Sequence, residues 1–125
     1  MSKILICDDD VDICKVVEKF LVNKGFQVSF VNSAEEGLFM LSKEKFDLLI
    51  QDKKMPGIGG FGVLREMRAR NDNTPVIIMT GYLDKLDAET QEIIELGFVD
   101  LLLKPVDLDM LVKKISSRLK GSVEV

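Results

Sequence analysis

Acidic, hydroxyl and cationic side chains that could act together stand at the ends of short apolar runs in this 125-residue chain. Asp8, Asp9 and Asp10 follow "KILIC". Asp52 follows "LLIQ" and precedes Lys53, Lys54 and "MPGIGG", while Thr80 closes "VIIMT" and Lys104 follows "VDLLL", just before Pro105. Brought into one crevice, such a set has a definite chemistry. Two carboxylates about 4 Å apart repel by roughly 4 kcal/mol at an effective dielectric of 20, so a cation must sit among them or one acid must keep its proton. Lys104 supplies one positive charge. The remaining acids form a hard oxygen-ligand set, which suits Mg²⁺ with retained waters, or Mn²⁺ in its place. A carboxylate can also attack phosphorus to give an aspartyl phosphate. A divalent cation, a lysine ammonium and a hydroxyl donor are what the equatorial oxygens of a transferring phosphoryl group need around them.

Composition narrows the alternatives. The chain contains no histidine, which removes Ser-His-Asp and Cys-His catalysis, histidine-ligated metals and an internal phosphohistidine. Cys7 and Cys14 are too few for a disulfide scaffold or a four-ligand zinc site and read as free core thiols. A formal net charge of −4 argues against nucleic-acid binding by this domain. No apolar run approaches the roughly 18 residues of a membrane span, and "MSKILICDDD" lacks the features of a signal peptide. A cytoplasmic protein without a membrane partner is expected.

The elements that must position these residues follow from periodicity. "KILIC", "QVSFV", "DLLIQ", "PVIIM" and "VDLLL" read as strands, three of them apolar nearly throughout, as strands covered on both faces are. Helical patterns lie between them. Ile13, Val16, Val17, Phe20 and Leu21 form an apolar stripe in the first, which Gly25 ends. Ser33 and Glu36 form a capping box for the second, with Leu38 and Leu41 as its buried stripe. Leu64 and Met67 anchor the third, Ile93, Ile94 and Leu96 the fourth before Gly97, and Leu108, Leu111, Val112, Ile115 and Leu119 the fifth. Strict alternation predicts a doubly wound α/β sandwich around a five-stranded parallel sheet, whose ligands bind beyond the carboxyl ends of the strands. Asp8, Asp9, Asp10, Asp52, Thr80 and Lys104 all fall there. Residues 1–120 read as one domain and 121–125 as a short polar tail.

With these residues in place, "ILICDDD", "FDLLIQDKKMPGIGG", "IIMTG" and "LLLKP" together resemble the receiver domain of two-component response regulators over essentially the whole chain. The resemblance implies a flavodoxin-like (βα)5 fold of strand order 2-1-3-4-5. It implies Asp52 as phosphoacceptor, Asp9 as a direct Mg²⁺ ligand, Asp8 acting largely through water, and the Lys54 carbonyl as a further ligand. Thr80 and Lys104 match the family's hydroxyl and lysine, with a cis Lys104–Pro105 bond. Asp10 falls outside the acidic pair and reads as an N-capping or solvent-facing acid. The implied donor is a phosphohistidine on a histidine kinase or a histidine phosphotransfer protein. The domain would supply the nucleophile and Mg²⁺ and later catalyse its own hydrolysis, which makes it a phosphoacceptor more than a turnover enzyme.

Departures from the family pattern cluster near the expected output face. Leu101 stands where an aromatic residue is usual, Gly59 where an aspartate is common, and the stretch "GYLDKLDAE" is longer than usual. Lys54 and Tyr82 are expected to flank the approach of hydrolytic water to the phosphoryl group and to lengthen its lifetime, as a relay intermediate needs. A stand-alone regulator, a relay intermediate and a receiver cut from a longer transcriptional regulator all remain compatible with the sequence. Two rival site chemistries fail. Asp8, Asp10 and Asp12 mimic the start of a calcium EF-hand loop, but Ile13 replaces its glycine and Lys19 its final glutamate. A haloacid-dehalogenase-type phosphatase would make Asp8 the nucleophile and leave Asp52 unexplained.

Overall fold

A computed structural model describes residues 2–81, 88–97 and 99–120. Five strands, β1 (Lys3–Cys7), β2 (Gln27–Val31), β3 (Leu48–Asp52), β4 (Val76–Thr80) and β5 (Val99–Leu103), alternate with α1 (Val11–Asn23), α2 (Ala34–Lys43), α3 (Gly59–Ala69), α4 (Ala88–Glu95) and α5 (Leu108–Lys120). All pairings are parallel and the sheet order is β2-β1-β3-β4-β5. The direction in which successive strands are added reverses between β1 and β3, which pair in parallel from Ile4↔Leu48 to Cys7↔Gln51. Among the described residues, no helix is long and apolar enough to cross a membrane.

The aliphatic runs are explained by burial on both sheet faces. Because successive strand residues point to opposite sides, Ile4, Ile6, Leu48, Ile50, Ile77 and Met79 pack with α1 and α5. Leu5, Cys7, Leu49, Val76 and Ile78 pack with residues of α2, α3 and α4. A fully buried side chain of this size contributes roughly 1.5–3 kcal/mol, so the sheet is the rigid part on which the strand ends are mounted.

Helix ends follow the sequence signals closely. Asp10 caps α1 by accepting from the Ile13 amide, and Gly25 follows the helix with φ +98°, a conformation glycine adopts without Cβ strain. Ser33 caps α2 by accepting from the Glu36 amide, but Glu36 Oε1 accepts from the Asn32 amide at 3.3 Å, one residue earlier than a capping box predicts.

The helix faces depart further from expectation. Val16 is 59% exposed and Ile94 40% exposed, so neither belongs to a buried stripe. In α2 the fully buried positions are Ala34 and Gly37, while Leu38 and Leu41 are only half-buried. The reason is distance: a Cβ on Gly37 would stand 3.0 Å from Cys7 Sγ, so α2 approaches β1 too closely for a larger side chain there.

Candidate functional site

The ends of β1, β3, β4 and β5 bring Asp8, Asp52, Thr80 and Lys104 to one edge of the sheet. β3 and β4 each run one residue past the apolar run, so Asp52 and Thr80 are terminal strand residues and share its rigidity. Asp8, Asp52 and Thr80 are buried, at 0, 5 and 4% exposure. Lys104 crosses to the acids from β5, with its amide donating to the Thr80 carbonyl at 2.8 Å. Its Nζ lies 2.9 Å from Asp52 Oδ1 and 3.7 Å from Asp8 Oδ2. The Lys104–Pro105 peptide is cis.

Asp8 is held on several sides. Its Oδ1 accepts from the Asp10 amide at 2.9 Å, and its carbonyl accepts from Asn32 Nδ2 at 3.0 Å and from the Cys14 thiol at 3.4 Å. Its Oδ2 is buried with no hydrogen bond among the described residues. Burial, then the charge of Asp52, push the Asp8 carboxyl up to about 6, although the Asp10 amide and Lys104 pull the other way. Burial alone would lower the Lys104 ammonium, but the hydrogen bond and charge of Asp52, with the charge of Asp8, carry it above its ordinary value.

The fit to a divalent cation rests on two observations. One carboxylate oxygen from each of Asp8, Asp9 and Asp52 lies within 4.8 Å of the others, with Asp9 exposed to receive a hydrated ion. Asp8 Oδ2, buried with only the 3.7 Å contact to Lys104 Nζ and no hydrogen bond among the described residues, is the atom such an ion would satisfy. Lys104 offsets at most one of these negative charges. An all-oxygen donor set that leaves room for water suits Mg²⁺. Asp10 and Asp12 take no part, since one caps α1 and the other lies inside it, which removes the EF-hand geometry.

Other sequence-derived positions fall nearby or elsewhere. Lys54 is exposed on the turn after Asp52, and Lys53 Nζ lies 5.2 Å from the centre of the Phe61 ring. Leu101 is half-buried against the cluster that contains Ile78 and Ile93. Tyr82 and most of "GYLDKLDAE" lie outside the described residues. Two residues that periodicity passed over are Asn32, which holds the Asp8 carbonyl, and Gln51, a buried amide in an aliphatic strand. A polar residue interrupting a two-sided apolar run was the available signal for Gln51.

The turn after Asp52 is tightly packed. A Cβ on Gly60 would stand 2.2 Å from the Asp52 carbonyl oxygen, whereas one on Gly81 meets nothing within 4 Å among the described residues. The expected result for Gly60→Ala is a loss of about 1–3 kcal/mol in urea unfolding, as overpacking gives. Gly81→Ala, as control, should remain within about 0.5 kcal/mol of wild type.

A parallel sheet of this order, with an acid crevice beyond the strand ends, defines the flavodoxin-like, CheY-type class of α/β domains. The family profile for the response regulator receiver domain matches residues 4–116. The transcriptional regulatory protein ZraR of Escherichia coli is 35% identical over 108 residues, which cover 86% of this chain and 24% of that protein. ZraR of Salmonella typhimurium is 32% identical over 121 residues, covering 97% of this chain and 27% of that protein. This chain therefore spans about a quarter of the length of these curated relatives. Among solved structures, a Francisella response regulator receiver domain superposes with a TM-score of 0.88 at 29% identity, covering 98% of this chain and 99% of that one. A response regulator receiver domain protein from Clostridium thermocellum gives 0.86 at 31% identity, covering 98 and 97%. The chain belongs to the response regulator receiver domain family, the receiver modules of two-component signalling.

Proposed function

We propose that Asp52 accepts a phosphoryl group from a phosphohistidine on a histidine kinase or histidine phosphotransfer protein. The observation that carries this reading is Asp52 Oδ1 held 2.9 Å from Lys104 Nζ beside a three-carboxylate cluster at the strand ends. An Asp52 carboxylate oxygen attacks phosphorus, the P–N bond to the donor imidazole breaks, and the imidazole leaves as its electron pair takes up a proton. Asp8, Asp9, Asp52 and the Lys54 carbonyl would hold Mg²⁺, which when bound neutralises charge on the phosphoryl oxygens. Lys104 and the Thr80 hydroxyl donate to those oxygens, and the buried ends of β3 and β4 fix their spacing before the donor arrives.

The similarity to transcriptional regulators about four times as long supports a second reading, in which residues 1–120 act as the receiver module of a longer regulator and residues 121–125 lead out of it. In a relay role, Lys54 and Tyr82 would shield the phosphoryl group from water. The proposal is tested by incubating the protein with phosphoramidate and Mg²⁺ and weighing it intact. One added phosphoryl group, abolished by a chelator, is the expected result; an unchanged mass with Mg²⁺ saturating overturns it.

A further inference from the structure

Gln51 lies fully buried on β3, where its neighbours Leu48, Leu49 and Ile50 are all aliphatic. Alternation along the strand turns it away from the acid crevice, toward the face occupied by Cys7 and Met55. Its Nε2 donates to the Asp52 carbonyl at 3.0 Å and to Met55 Sδ at 3.1 Å. Both partners are acceptors, so only the amide nitrogen can face them, and both of its protons are engaged. The amide oxygen, in contrast, is buried without a hydrogen-bond partner among the described residues. A leucine or methionine would avoid that unpaired oxygen. The strand instead carries a residue unfavourable to its own burial, at the position immediately before Asp52.

The contacts explain what this residue does locally. Gln51 bridges the carbonyl of Asp52 and the side chain of Met55, which are the two ends of the segment Asp52–Lys53–Lys54–Met55. Gly60 packs against the same Asp52 carbonyl, and its amide donates to the Lys53 carbonyl at 2.9 Å. The turn is thereby tied at both ends, at Asp52 and at Met55, by a side chain that alternation places on the face opposite the Asp52 carboxylate.

We infer that Gln51 is a positioning residue for the phosphoacceptor turn, fixing through its amide the backbone from Asp52 to Met55 and so the aim of the groups that would receive Mg²⁺ and the phosphoryl group. The inference deepens the proposed role of Asp52 and rests on it. Gln51→Met keeps the volume and removes both donors along with the unpaired oxygen. Its melting temperature should equal or exceed that of wild type, while hydrogen exchange of the Gly60 amide accelerates. The maximal rate of phosphorylation by phosphoramidate should fall by about tenfold or more, as sub-ångström misplacement does, with the half-saturating donor concentration unchanged. Met55→Leu, which removes only the sulfur acceptor, should give a smaller change in the same direction. Unchanged Gly60 exchange in Gln51→Met overturns the inference, as does a rate loss matched by a loss of stability. If wild type itself takes up no phosphoryl group, the proposed role of Asp52 fails, and Gly60 exchange still decides whether Gln51 holds the turn.

Discussion

Treated with phosphoramidate and Mg²⁺, the Asp52→Asn variant is expected to gain no phosphoryl group, its rate falling at least ~10³-fold, on the scale of losing a nucleophile. The amide keeps the size and burial of Asp52 but offers no anionic oxygen to phosphorus. It also loses half of the 2.9 Å ion pair with Lys104, so the ammonium is left to Asp8 at 3.7 Å. Asp8→Asn should behave differently. Asp8 is fully buried, with its Oδ1 committed to the Asp10 amide and its place in the three-carboxylate cluster beside Asp52, so under the proposed function its loss should weaken metal affinity and slow labelling without removing the acceptor. Intact-mass measurement of both variants separates the roles. Labelling of Asp52→Asn at the wild-type rate, with none in Asp8→Asn, would transfer the nucleophile to Asp8 and favour phosphatase-like chemistry.

The second large effect is on stability. In metal-free buffer at pH 7, Asp8→Asn should be more stable than wild type by up to about 3 kcal/mol, since a pKa unit is worth about 1.4 kcal/mol and the Asp8 carboxyl moves from 3.8 to about 6. A carboxyl raised on folding binds more protons in the folded than in the unfolded state between those two values. Its contribution is therefore fully present below about pH 3.8 and is lost as pH rises through about 6. Wild type should thus gain stability from this group on acidification from pH 7 toward 5, and Asp8→Asn should show no such gain. Saturating Mg²⁺ should close the gap, because binding at 100 times the dissociation constant stabilises the wild-type fold by about 2.7 kcal/mol and the variant by less. Urea unfolding of both proteins at pH 5 and 7, with chelator and with Mg²⁺, gives the four comparisons. A variant less stable than wild type at pH 7 in chelator would show that the Asp8 charge stabilises the fold.

Much of this architecture was legible because the sheet is covered on both faces. The runs read for β1, β2 and β5 coincide with the observed strands, while those for β3 and β4 start one residue early, because these fully buried strands keep pairing through a polar last residue, Asp52 and Thr80. Reading the residue at each carboxyl end then picked out Asp8, Asp52, Thr80 and Lys104, which the fold brings together. Helix faces were less legible. Val16 and Ile94 continue apolar periodicity into solvent, and α2 seats itself through Ala34 and Gly37, because the space against β1 favours small residues over hydrophobic ones. The supports of the site were hidden for another reason. Asn32 acts on the Asp8 carbonyl 24 residues away, a pairing that exists only after β1 and β2 align, whereas Gln51 acts on the adjacent Asp52 carbonyl and on Met55 through the way the chain turns after β3, which periodicity does not report.

The strand order also dictates how the chain can assemble as it is made. β2 joins one edge of β1, β3 the other, β4 then adds to β3 and β5 to β4. Every strand, taken in the order of its synthesis, docks on an edge that is still open, and no established pair has to be parted to admit a later one. Growth by accretion of this kind suits a chain that emerges from the ribosome N-terminus first. It also means that Asp8 and Asp52 are brought face to face when β3 docks, while Lys104, carried at the end of β5, arrives last. Until then the nascent sheet holds its acids together without their lysine, and divalent cations or mild acidity should ease that stage of folding.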